Sequence, residues 1–140
     1  GIVETSFKRG LKVLAMVDGQ GSSYDLVASG RTGIPAGSYK LVYGVLSDGS
    51  AFTVIKPTDK CPVYEIQAGK INTLRIGAPL WVSFHASYSK GNVTVSPAVN
   101  IYGAGNEEYT FDFSGGTGRP NVLMMEGKAL LGSPIPMSYG

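Results

Sequence analysis

The sequence predicts an all-β protein, an antiparallel β-sandwich made of about a dozen short strands. Three observations predict it. Apolar and polar side chains alternate over short runs, as at Leu80–Ser87 and Glu108–Phe113, and a period of two sends alternate side chains to opposite faces of a strand. The runs are punctuated by 20 glycines and 8 prolines, several in turn pairs such as Asp48-Gly49, where Gly supplies the positive φ that hairpin turns need. No window keeps an i, i+3, i+4 apolar pattern through its Gly and Pro content, so essentially no long helix is expected.

The totals set outer limits. A chain of 140 residues is one domain or two small ones, and a single unit of this size buries roughly two-thirds of its unfolded surface. An apolar fraction of 43% is too high for a disordered chain. Charged residues make up 16%, a sparse share that suits a secreted or assembled protein, and the net charge is +2. The basic residues are scattered, with only Lys8, Arg9 and Lys12 close together. Nucleic-acid binders need a stripe of positive charge, so that class is set aside. Cys61 is alone, so no internal disulfide forms. No window approaches 18 consecutive apolar residues, and no transmembrane helix is expected. The chain starts at Gly1 without initiator Met or signal peptide, as a processed terminus or an excised fragment does.

Taken in order, Gly1–Gly10 reads as an edge strand or a loose arm. Leu11–Val17 is a strand, Asp18–Gly21 a turn and Tyr24–Ala28 a short strand. Pro35 presets φ for a turn that Gly37 completes. The next strand places Tyr39, Leu41, Tyr43 and Val45 on one face. Ser47–Ser50 turns the chain, and Ala51–Ile55 returns as partner. Two prolines break Lys56–Pro62. Val63–Ile66 and Ile71–Ile76 flank an Ala68-Gly69 turn. Gly77-Ala78-Pro79 is the best internal boundary, because Pro cannot donate to a ladder and restricts the residue before it.

Beyond the boundary, Leu80–Ser87 sets Val82, Phe84 and Ala86 opposite Trp81, Ser83 and His85. Val93–Val95 and Val99–Tyr102 form two strands or one broken edge strand around Ser96-Pro97. Glu108–Phe113 puts Tyr109, Phe111 and Phe113 on one face. Ser114–Pro120 is a loop, and Asn121–Met125 with Ala129–Leu131 is a last hairpin. This gives an N-terminal arm at 1–10, a sandwich at 11–78, and a second β-rich module at 79–140 that packs with the first as one unit or follows it in series.

The run Ile34-Pro35-Ala36-Gly37-Ser38-Tyr39-Lys40-Leu41, followed by Tyr64–Lys70 and Leu74-Arg75-Ile76, resembles small bacterial prealbumin-like modules, the carboxypeptidase-regulatory-like and PEGA-type domains. The resemblance covers Leu11–Gly77. Such modules often carry an Asp-containing segment ahead of the Pro-Ala-Gly turn, where this chain has Ser29-Gly30-Arg31-Thr32-Gly33. The resemblance implies an Ig-like or prealbumin-like sandwich used as an accessory, adhesive or spacer unit. It implies no catalytic residues.

Candidate chemistry is sparse. His85 is the one histidine, and no G-x-S-x-G elbow accompanies it. One His and one Cys in separate segments do not make a zinc set. Glu107, Glu108 and Asp112 form the densest acidic group. However, Glu108 and Asp112 lie about 13 Å apart along a strand, too far to share an ion. Gly103-Ala104-Gly105 lacks the helix that a nucleotide fingerprint needs. No catalytic residue, cofactor or metal is therefore expected. Trp81, Tyr88 and Tyr109, with Tyr102, Phe111 and Phe113, form an aromatic set suited either to core packing or to a sugar-stacking face. Asn92-Val93-Thr94 is a glycosylation sequon.

The expected function is that of a non-enzymatic structural or adhesive protein, extracellular or in the cell envelope. Its expected partners are copies of itself or other envelope proteins, joined by strand addition to the arm at Gly1–Gly10. The alternative is a carbohydrate-binding accessory module using Trp81 and the tyrosines near it.

Overall fold

A computed structural model describes residues 1–7, 9–27, 31–49, 51–111 and 121–136. The protein is all-β, with largely antiparallel sheets packed on one another. In chain order come β1 (Ile2–Thr5), β2 (Leu11–Asp18), β3 (Ser23–Asp25), β4 (Arg31–Gly33), β5 (Gly37–Ser47), β6 (Phe52–Lys56), β7 (Tyr64–Ile66), β8 (Ile71–Leu74), β9 (Trp81–Ser89), β10 (Asn92–Tyr102) and β11 (Glu108–Phe111). Four two-residue strands follow: β12 (Asn121–Val122), β13 (Met125–Glu126), β14 (Ala129–Leu130) and β15 (Ile135–Pro136). The large sheet runs β3-β2-β5-β6-β11-β10-β9, with β7 paired to the free start of β5, and a smaller sheet runs β4-β1-β8.

The long strand β5 departs from simple alternation. Ala15 lies opposite Tyr43 and Met16 opposite Leu41, which leaves Val42 as the extra residue of a β-bulge. Tyr39 and Leu41 point inward before the bulge, and Gly44 points inward after it. Tyr43, expected on the same face as Tyr39 and Leu41, is thereby turned to the other and is exposed. Gly44 sits where neighbouring strands pack closely. A Cβ there would lie 3.0 Å from Ile55 Cδ1 and 3.2 Å from Leu14 Cδ1.

The segment expected as an arm is the middle strand of the small sheet. Ile2–Glu4 pair antiparallel with residues 31–33, and Ile2–Thr5 pair parallel with Ile71–Leu74. Both edges of β1 are filled within the chain, so this segment is not free to add to a neighbour. The Asn72 amide fastens the β7–β8 turn to it by donating to Ile2, Gln67 and Lys70 carbonyls. The core lies between the sheets: Leu14, Met16, Tyr39, Leu41, Ile55, Tyr64 and Ile66 from one side meet Val3 and Leu74 from the other, with Leu26, Ile34 and Ile76 closing the ends.

The sheet takes strands from both sides of Gly77-Ala78-Pro79, because β11 pairs with β6 from Glu108↔Lys56 to Phe111↔Thr53. Residues 11–78 and 79–140 therefore share one sheet. Ser96-Pro97 does not end β10. The strand continues through an irregularity between Val95 and Val99. Asp112, Phe113, the loop at 114–120 and the closing residues 137–140 lie outside the described residues.

Candidate interaction surface

The β9–β10 hairpin turns at Lys90-Gly91, between paired Ser89 and Asn92. Both turn residues have positive φ, 49° and 80°. That is the requirement of a type I′ turn, the form whose twist matches paired strands. Asn92 of the sequon stands exposed beside it. Directly opposed residues share a face of a ladder. One face of the hairpin therefore carries Val82 with Ile101, Phe84 with Val99, Ala86 with Val95 and Tyr88 with Val93. The other carries Trp81 with Tyr102, Ser83 with Asn100 and Ser87 with Thr94.

The apolar face of the hairpin is the core-facing side of the sheet, continued. A single row of opposed residues crosses the sheet as Leu14, Gly44, Ile55, Tyr109, Ile101 and Val82. Leu14 and Ile55 are fully buried, Tyr109 is 4% exposed, and Val82 is 55% exposed. The cover runs out along this row. At its limit lies an open cleft of about 310 Å³ between Phe7, Leu46, Leu80 and Tyr109. Past it Phe84 is 56% exposed and Tyr88 74%. Among proteins, large exposed apolar patches occur at protein or membrane contacts and at ligand grooves.

The described residues of the C-terminal ribbon approach the far end of this face. β12 pairs with β15 and β13 with β14, and Gly127 at its tip has φ 61°. Val122, Met124, Ile135 and Pro136 line a cleft of about 150 Å³ with Val93 and Val95. Leu123, Met125, Leu130 and Leu131 of the ribbon are themselves exposed.

The three aromatic residues singled out from the sequence do not form one site. Trp81 is 48% exposed and stacks on Tyr102, ring centroids 4.5 Å apart at 29°. Asn100 Nδ2 donates to Glu108 Oε1 nearby at 2.9 Å. Tyr88 lies seven residues along β9, about 23 Å away, on the opposite face. Tyr109 belongs to the core and is 4% exposed, at the edge of the cleft beside Phe7 and Leu80. His85 is exposed on the Trp81 face. Cys61 is half-buried, its Sγ accepting from Thr58 N–H at 3.3 Å. Among the described residues, no three of His, Cys, Asp and Glu gather as a metal set.

The buried acid is Glu107, with no exposed surface. Its carboxylate accepts from Gly77 N–H at 2.6 Å, Gly105 N–H at 2.9 Å and Tyr109 O–H at 2.8 Å. Burial raises the Tyr109 hydroxyl pKa well above its ordinary value, and the hydrogen bond to Glu107 adds to the rise. Burial, then the same carboxylate, raises Tyr64. A Cβ at Gly103 would overlap Glu107 Oε1, so the loop closes over the acid only with Gly there. The group is shut from solvent with all three donors satisfied. It ties the β8–β9 connection to the β10–β11 turn and so fixes the root of the exposed hairpin.

Sequence reasoning placed Val82, Phe84 and Ala86 on one face but could not report that this face is exposed. Comparison with protein-family models, with curated proteins and with solved structures finds nothing that matches this chain.

Proposed function

We propose that this chain is a non-catalytic structural or adhesive module of the cell envelope or extracellular space, working through protein contact. One observation carries the reading: the core-facing side of the large sheet continues, uncovered, onto Val82, Phe84 and Tyr88. A face built like a core and left bare is suited to a protein partner, either a copy of the chain or another envelope protein. The resemblance of residues 11–77 to prealbumin-like accessory and spacer modules points the same way, as does the low share of charge.

The test is the double variant Val82→Ser/Phe84→Ser. Both side chains are already more than half exposed, so the circular dichroism spectrum and melting temperature are expected to match wild type. Association with copies, or retention on the envelope fraction of the producing cell, is expected to be lost. Unchanged association and unchanged retention would refute the reading, as would recovery of the native protein only from the cytoplasm.

A second reading is favoured by the stacked and half-exposed Trp81, with Tyr102, Asn100 and Glu108 on the polar face. An aromatic plate beside amide and carboxylate groups suits a sugar ring. Glycan-array binding that disappears in Trp81→Ala would support a carbohydrate-binding module; an array without signal would remove it.

A further inference from the structure

The sheet edges of this protein are unequal. The ends of the small sheet, β4 and β8, are three and four residues long, and β3 at one end of the large sheet is three. Short edges are one way proteins avoid unwanted pairing. The outer side of β10, where among the described residues β11 pairs only with Ile101 and Tyr102, carries Pro97 and the irregular register. β9 has none of these devices. It is nine residues long and, among the described residues, pairs with β10 alone. Its sequence, Trp81-Val82-Ser83-Phe84-His85-Ala86-Ser87-Tyr88-Ser89, holds no proline, lysine or acid, and its side of the ladder keeps regular spacing.

We propose that the free edge of β9 pairs antiparallel with β9 of a second copy about a two-fold axis, joining two large sheets into one. The inference rests on the reading that the chain works through protein contact, and it names the partner and the element. The strand is self-complementary. Full overlap of the nine residues sets Trp81 opposite Ser89 of the second copy, Val82 opposite Tyr88, Phe84 opposite Ala86, and His85 opposite itself. Opposed residues share a face, so on one face Val82 meets Tyr88 and Phe84 meets Ala86, and on the other Ser83 meets Ser87 and His85 meets His85, with Trp81 set against Ser89 at the two ends. A slip by one residue would set Val82 against Ser87 and lose that match. An isologous pairing also uses up the edge, so assembly through it stops at two.

Sedimentation velocity of the full chain, from about 1 to about 100 μM, covers the affinities of small interfaces. Wild type is expected at twice the chain mass of 14.7 kDa. His85→Lys and His85→Glu, each alone, place two like charges opposite across the axis and are expected at the single mass. An equal mixture of the two is expected to return to the double mass. His85 is exposed, and matching circular dichroism spectra exclude misfolding. A wild type at single mass throughout overturns self-pairing; if that wild type is still retained on the envelope, the functional reading stands. His85→Lys at double mass with Val82→Ser/Phe84→Ser at single mass assigns the contact to the apolar face and overturns edge pairing alone. Double mass in both variants, with unchanged envelope retention, overturns edge pairing and the functional reading together.

Discussion

Replacing Glu107 by Gln changes one atom's hydrogen-bonding character in a site that solvent never reaches, and it is expected to destabilise the fold by about 2–3 kcal/mol. The carboxylate accepts from Gly77 N–H, Gly105 N–H and the Tyr109 hydroxyl. An amide of the same shape offers one acceptor oxygen and one N–H₂ donor. With the oxygen toward Gly77, the new donor faces Gly105 N–H; turned over, it faces Gly77 N–H. One buried backbone donor loses its acceptor either way, at about 1–3 kcal/mol. The bonds that survive lose the charge assistance that made them roughly twice as strong as neutral ones. Relief from desolvating a carboxylate offsets part of this. At about 2 cal/mol/K of unfolding entropy per residue, 2–3 kcal/mol over 140 residues lowers Tm by about 7–10 °C. Urea and thermal unfolding at neutral pH read both numbers. Glu108→Gln is the control: that neighbour is half-buried with one bond to Asn100, and its loss is expected under about 1 kcal/mol. A Glu107→Gln protein no less stable than Glu108→Gln would refute the account of the buried carboxylate as the tie between connection and turn.

Gly44→Ala is expected to lower stability by about 1–3 kcal/mol through overpacking, since its Cβ meets Ile55 Cδ1 at 3.0 Å and Val13 O at 3.1 Å. The urea midpoint should fall at constant slope, and a neutral or stabilised variant would contradict the packing described. Stability should also fall in alkali. Tyr64 and Tyr109 titrate above the ordinary tyrosine value of about 10 when folded, chiefly through burial and then through Glu107. Above about pH 10 the folded chain therefore holds protons that the unfolded chain releases, and stability drops with rising pH by up to about 1.4 kcal/mol per unit for each. Below that it is unaffected by these groups. Urea unfolding at a series of pH values from about 8 to about 11 checks the sign; stability that holds level or rises across the upper half would contradict it.

Strand positions were legible because they depend on local period and turn chemistry. Leu11–Val17, Ala51–Ile55 and Leu80–Ser87 each fall within a residue or two of an observed strand. What stayed hidden was set by distant partners. Nothing local to Ile2–Thr5 reports that residues 31–33 and 71–74 will flank it. The bulge at Val42 depends on how β2 lies against β5, so Tyr43 was given the wrong face. Period alone also cannot separate an aromatic that enters the core from one that stays out. Tyr109 and Tyr88 sit in similar alternating runs, yet one is 4% exposed and the other 74%. Which of them is covered depends on where the small sheet ends. Glu107 was visible only as one of an acidic group. Its burial comes from glycines 103 and 105, which the sequence showed as a loop.

The row from Leu14 to Val82 has a consequence for how this protein tolerates change. Its six residues lie on neighbouring strands of one sheet, and the rotation between neighbouring strands accumulates across a sheet. A residue swap at the buried end alters the angle at which the exposed end meets its neighbour, with no atom of the contact surface replaced. Stability and recognition are thus not separate traits that selection can adjust one at a time. If the face at Val82 is the proposed contact, a lineage that repacks the interior around Ile55 re-fits that contact in the same step.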